Sequence, residues 1–177
     1  DADDAKALLM SGDPAFLAFA VEKISDSGSG FKMQILTTLN NFTNNLTNIV
    51  STIKGANSQA TILVATQYNP YYYLAKSTEG TPFADTASKI STAFEAGVAA
   101  LNATIESGAN LGGYQVIDVY QTFKDAVEST PSVNPCNASM ATLDFHPNQD
   151  GHDLIAKVIN SELTVKQFPI NVNNTWV

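Results

Sequence analysis

The run "ATILVATQ", residues 60–67, constrains the fold of this chain more than any other stretch. Its residues are apolar or β-branched with no polar alternation, as expected of a strand covered on both faces of a parallel sheet. A second such segment, "NLGGYQVIDVY", predicts a strand over about 114–119 after a Gly-Gly turn. Between them, residues 84–106 place Ala87, Ile90, Phe94, Val98, Leu101 and Ile105 on one helical side. Strand, helix and strand in that order form a right-handed crossover unit of an α/β sandwich.

The flanking segments add helices. From Phe31, apolar residues at 31, 35, 39, 42, 46, 49 and 53 define one helical stripe. The rest of that segment is rich in Asn and Thr, which are weak helix formers, so packing of the stripe must hold it. Residues 4–25 also read as helical, broken at "SGDP", where Asp13 caps and Pro14 takes the first helical position; "SDSGSG" (25–30) is a turn. Residues 121–142 read as a long loop. After Pro147, the spacing of Leu154, Ile155, Val158 and Ile159 predicts a last helix, and the tail from Pro169 reads as irregular. The expected order is α-α-β-α-β-loop-α over a single domain, residues 1–177. Parallel sheets of this class have about four to six strands, so the two readable strands are expected to be completed by a separate N-terminal chain.

Composition narrows the functional classes. Hydrophobic residues are 44% and charged residues 15%, a globular balance. The net charge of -8 argues against nucleic-acid and anionic-membrane partners. No uninterrupted apolar run reaches the length of a membrane span. The acidic start "DADDAKALLM" is unlike a signal peptide and reads as a start left by processing. The single cysteine, Cys136, leaves no internal disulfide and no CxxC metal pair; it is either a free buried thiol or a candidate interchain disulfide. Sequons at Asn41, Asn45, Asn102, Asn137 and Asn173 are a mild excess over chance and favour a secreted glycoprotein. No metal or cofactor is expected.

Both histidines fall in "LDFHPNQDGH", residues 143–152. A neutral imidazole takes a proton from a hydroxyl when another group accepts from its Nδ1–H and fixes the tautomer. Asp144 is placed to do this for His146, Pro147 stiffens the exit, and Asn148 caps the following helix. The simpler alternative is a surface loop whose Asp144 and Asp150 complement a helix N-terminus. His146 and His152 do not match a zinc spacing, and His152 is expected to be structural.

"LDFHPNQDGHDLIAKVI", after a strand and a long loop, resembles the last block of the SGNH hydrolases, the GDSL esterases and lipases. "ATILVATQYNPYYY" and "VIDVYQTF" resemble two strand segments of the same family, so the likeness runs from about residue 31 to 163. It implies a flavodoxin-like three-layer α/β/α sandwich with a parallel sheet, of which this chain is the C-terminal part. It implies hydrolysis of carboxylic esters by a serine, with a small ester or lipid substrate, no cofactor, His146 as general base and Asp144 as its acid. The family's usual acid position, three before the histidine, holds Leu143 here, so a backbone carbonyl remains an alternative to Asp144. Asn69, Tyr71 and Tyr72 are the candidate substrate-binding residues. The GDSL block and the Gly-x-Asn-Asp block are absent from the sequence, and Ser11 in "MSGDP" reads as a turn residue. The nucleophile and the oxyanion donors are therefore expected on an N-terminal chain of the same precursor, with Cys136 as its tether. The alternative is a non-catalytic α/β binding module that keeps the histidine block for structure.

Overall fold

The computed structural model describes residues 31–130, 133–139, 141 and 144–163, without the side chains of residues 31–35. It is a mixed α/β structure, mostly helical, with a small parallel sheet of two strands. In chain order the elements are α1 (Phe31–Ala56), β1 (Leu63–Ala65), α2 (Tyr72–Ser77), α3 (Ala84–Gly112), β2 (Gln115–Ile117), α4 (Val119–Ser129) and α5 (Gln149–Glu162). The expected helix over 4–25, Ser11 and the tail from Pro169 lie outside the described residues.

The strands pair Leu63 with Gln115, Val64 with Val116 and Ala65 with Ile117. Partners in a parallel pair share a face, so the sheet divides its side chains between two cores. On one side Ile62, Val64 and Val116 pack with Val50, Ile105 and Tyr114, under α1 and α3. On the other, Leu63 and Ile117 join a cluster with Tyr71, Ile90, Phe123 and Cys136, against which α5 lays Leu154, Ile155, Val158 and Ile159.

The weak helix formers of α1 are accommodated in a specific way. The hydroxyls of Thr43, Thr47 and Thr52 donate to the carbonyls of Leu39, Thr43 and Asn48, at 2.9, 2.9 and 2.7 Å. This back-bonding satisfies each hydroxyl without a tertiary partner. The helix is only partly covered: Val50, beside the stripe, is 3% exposed, but Ile49 and Ile53 of the stripe are 56% and 38% exposed.

Residues 121–142 are not one loop, as their prolines suggested. Residues 119–129 form α4, started by Asp118, whose carboxylate accepts from Gln121 N–H at 2.9 Å. Val119, Phe123 and Val127, spaced by four, are all buried. α3 also runs past the predicted end at 106, closing at Gly113 in the left-handed region (φ 70°), where glycine carries no Cβ penalty.

Candidate active site

The histidine loop is held by three neighbours. Cys136 and Pro147 form an isolated antiparallel bridge, with Asn137 N–H donating to His146 O at 3.0 Å and Asn148 N–H to Pro135 O at 3.1 Å. The Tyr68 hydroxyl, beyond the end of β1, donates to Phe145 O at 3.0 Å, while its ring stacks on Phe123 at 4.4 Å. Asn148 caps α5 as expected, accepting from Gly151 N–H at 3.0 Å. Its amide also donates to Asn134 O and, at 3.4 Å, to Cys136 O, which ties helix start to loop. Gly151 lets the loop pass: a Cβ there would collide with Pro135 O.

Within this frame Asp144 and His146 meet. Asp144 Oδ1 lies 2.6 Å from His146 Nδ1 and also accepts the His146 backbone N–H at 3.0 Å. The carboxylate, two residues before the histidine, thus closes a turn on its own chain and orients the ring as well. With the proton on Nδ1, that nitrogen donates to Asp144 and the Nε2 lone pair is left to accept. Among the described residues Nε2 has no partner, and the His146 side chain is 67% exposed. The Phe145 ring stacks on the imidazole, centroids 4.4 Å apart. Asp144 is held below the usual carboxylate range, first by the His146 backbone N–H, then by its ring and, in smaller part, by the Asn137 side chain. These contacts favour the ionised form that a histidine-orienting acid needs.

Two of the three expected substrate residues are used internally instead. Asn69 is 6% exposed; its Oδ1 accepts from Tyr71 N–H at 3.0 Å, and its Nδ2 donates to Ser91 O at 3.0 Å and Glu95 Oε2 at 2.7 Å. Tyr71 is 1% exposed, edge-on to Phe94, with ring centroids 4.5 Å apart. In "NPYYY" the asparagine therefore makes the turn and the first tyrosine fills the core. Tyr72 is half-buried and lines a shallow cleft with Tyr73, Tyr120, Lys124 and Pro135. Its hydroxyl donates to Glu128 Oε1 at 2.5 Å, and Lys124 Nζ sits 5.5 Å from its ring. Burial and the glutamate push its pKa up to about 12. Tyr120 behaves alike against Glu95.

The remaining candidates divide by exposure. Asn41, Asn45 and Asn137 are exposed. Asn102 is a correction: it is 7% exposed, and its amide both accepts from Gln67 N–H at 2.7 Å and donates to Gln67 O at 2.9 Å. A glycan has no room there, because the side chain pins the chain leaving β1. Asn173 lies outside the described residues. Cys136 is a free thiol, 1% exposed. Burial, with help from Asp144, pushes it up to about 12. A bridge from it to another chain, the expected tether, requires opening the loop. His152 is exposed, and no hydrogen bond of its ring is found among the described residues. Among the described residues no cluster of His, Cys, Asp and Glu fits a metal ion, and no helix is long and apolar enough to cross a membrane.

Four residues of this frame are not marked as such by the sequence. Tyr68 and Asn137 reach the site from other elements, so no local pattern marks them. The double role of Asn148 is hidden behind an ordinary capping signal. Gly151 was visible as a glycine in a first helical turn, an uncommon place for one without a packing reason. No known family, curated protein or solved structure matches this chain in comparisons of sequence and fold.

Proposed function

We propose that this chain is the histidine-bearing part of a secreted, serine-dependent carboxylic ester hydrolase of the SGNH type, completed by an N-terminal chain of the same precursor. The finer fold, a three-layer α/β/α sandwich, belongs to the same proposal. The observation that carries the reading is the exposed Asp144–His146 pair, with Nδ1 tied 2.6 Å from a carboxylate and Nε2 unpartnered among the described residues. An imidazole so held is a general base lacking only its hydroxyl.

In the proposed reaction a serine hydroxyl on the partner chain gives its proton to His146 Nε2 as its oxygen attacks the ester carbonyl. The imidazolium formed is stabilised by Asp144, then returns the proton to the departing alkoxide. A water repeats the sequence and releases the acid. Oxyanion stabilisation falls to the partner chain. The substrate is a small ester or lipid, with Tyr72 on the cleft side of the site.

The test is fluorophosphonate labelling of the native protein, paired with His146→Ala. The reading expects one label per assembly on a serine outside this chain, and loss of about 10³-fold or more in turnover on His146→Ala. An unlabelled native protein, or a His146→Ala variant with near-normal esterase activity, refutes it. The first result would leave a binding module that keeps the loop for structure.

A further inference from the structure

A groove between α2 and the start of α3 has a volume of about 540 Å³, within the range of small-molecule sites. The cleft that Tyr72 shares with Tyr120 and Pro135 holds only about 10 Å³, room for one water. The groove's walls are two helical faces. Tyr72, Ala75 and Glu79 come from α2 and the turn after it, and Asp85, Ser88, Ser91 and Thr92 from α3. Tyr72, Ala75 and Glu79 are spaced by three and four, and Ser88 stands three and four residues before Ser91 and Thr92, so each set shares one face. Packed helices ordinarily fill facing stripes with interlocking side chains. Here the positions hold alanine, hydroxyls and carboxylates, and the space between them is open.

The polar groups on these faces are only partly used by the fold. Elsewhere in α3, the hydroxyls of Thr104 and Ser107 donate to the carbonyls of Ala100 and Thr104, at 2.9 and 3.1 Å, the usual back-bonding of helical hydroxyls. The hydroxyls of Ser88, Ser91 and Thr92 donate to nothing among the described residues. Ser91 is the decisive one. It is 8% exposed, and its Oγ only accepts, at 3.4 Å, from Asn69 Nδ2. Buried hydroxyls normally find an acceptor, and this one lines the groove with its donor unspent. The carboxylates are half used. Lys76 Nζ lies 3.3 Å from Glu79 Oε1 and Lys89 Nζ 2.7 Å from Asp85 Oδ2. These pairs cancel the charge and leave the second oxygen of each carboxylate as an acceptor.

We propose that the groove between α2 and α3 binds a neutral saccharide. Three hydroxyl donors and two charge-balanced carboxylates suit a ligand dense in hydroxyls, each of which both donates and accepts. An anion would face Glu79 and Asp85, and a cation would compete with the lysines already paired to them. Half-buried Tyr72, on the same wall, supplies a flat apolar surface for the C–H face of a pyranose ring while its hydroxyl stays tied to Glu128. The site goes beyond the ester-hydrolase reading and does not rest on it.

Amide chemical shifts of the native protein, titrated with cellotetraose, xylotetraose and mannotetraose, test the groove. At least one probe should saturate with a Kd of about 10 mM or lower, with shifts confined to residues 72–79 and 84–92. Ser91→Ala and Thr92→Val each remove a hydroxyl with little change of shape. Each should weaken binding about 3–10-fold at an unchanged melting temperature. Tetragalacturonic acid, a similar ring bearing carboxylates, should bind at least about 10-fold more weakly than the best neutral probe. Titration of the untreated protein identifies a free saccharide as the ligand, and titration that appears only after endoglycosidase treatment identifies the protein's own glycan. No saturation before or after that treatment up to about 50 mM, as when residues 1–30 or a second copy close the groove, overturns the proposal. So do shifts elsewhere, unchanged affinity in both variants, or equal binding of the acidic probe. A protein that binds saccharide here but takes no fluorophosphonate label keeps the groove and loses the esterase, and a labelled protein without saccharide binding does the reverse.

Discussion

Asn148→Asp separates what a capping rule sees from what the fold uses. Asn and Asp are about equal as N-caps, so by that rule the change is neutral, and the new negative charge gains about 0.3–1 kcal/mol from the helix dipole. The structure gives the opposite sign. Asn148 Oδ1 caps Gly151, but Nδ2 donates to Asn134 O and Cys136 O. Asp keeps the acceptor and turns the donor into an anionic oxygen facing two carbonyls. A part-buried acceptor left without its donor costs about 1–3 kcal/mol, which outweighs the dipole term and leaves a net loss of roughly 1–2 kcal/mol. Asn148→Ala loses the cap as well, worth about 0.5–2 kcal/mol more. Protonation of the new carboxyl restores a donor, so its native-state pKa is raised above the unfolded value of about 3.9. Its contribution is then fully present below that value and is lost as pH rises through the native-state pKa. Urea denaturation at pH 7 and near pH 3.5 reads both effects. An Asn148→Asp protein as stable as its parent at pH 7, or a deficit that ignores pH, refutes the double role.

Other outcomes come from the same frame. Tyr68→Phe loses the donor to Phe145 O and should lower stability by about 0.5–1.5 kcal/mol while reducing turnover more than KM, because it loosens the base and not the substrate cleft; steady-state kinetics decides. Cys136, buried and pushed up to about 12, should resist a thiol reagent at pH 8 until denaturant is added, and rapid titration of the native protein is the contrary result. Its raised pKa also means that stability from the buried thiol is fully present below the ordinary value of 9.0 and is lost as pH rises toward 12. Glycan mapping should find Asn102 unoccupied whatever is found at exposed Asn41 and Asn45. His152→Ala should leave both melting temperature and turnover near the parent's.

Hydrophobic runs with one period were legible in the sequence. "ATILVATQ" and "QVI" hold the two strands, and the helix beginning at Ala84 is where its apolar spacing put it. α4 was missed for a physical reason. Pro131 and Pro135 break the chain only after Ser129, whereas Asp118 and the four-residue spacing of Val119, Phe123 and Val127 already encode a capped amphipathic helix ahead of them. "NPYYY" misled for another. A tyrosine run after a strand looks like a cleft wall, but Tyr71, the N-cap ahead of α2, enters the core, while Tyr72 at the helix start stays half-exposed. Asn102 carries a sequon because its neighbours happen to fit, whereas its role depends on Gln67, far away in sequence.

The site itself combines a local part with a non-local one, and this explains what each line of reasoning reaches. Asp144 grips both the backbone and the ring of a residue two positions on, a closure that short-range turn chemistry supplies unaided. Such a turn ahead of a helix is common, so the pair alone does not distinguish a base from a surface loop. Contacts from distant residues add support to the proposed reading. Tyr68 reaches back from the end of β1, Asn148 fastens the loop to two carbonyls, and Gly151 leaves room for Pro135. Their expense in conformational freedom makes sense if the imidazole must hold one direction while another group approaches it. Asp144→Asn tests that step: the amide still accepts the His146 backbone N–H, so the turn and the stability should survive, while the ring loses its anionic partner. Unchanged melting with turnover down by about 10²-fold or more supports a positioned base. Turnover within a few-fold of the parent shows that the pair serves the turn alone.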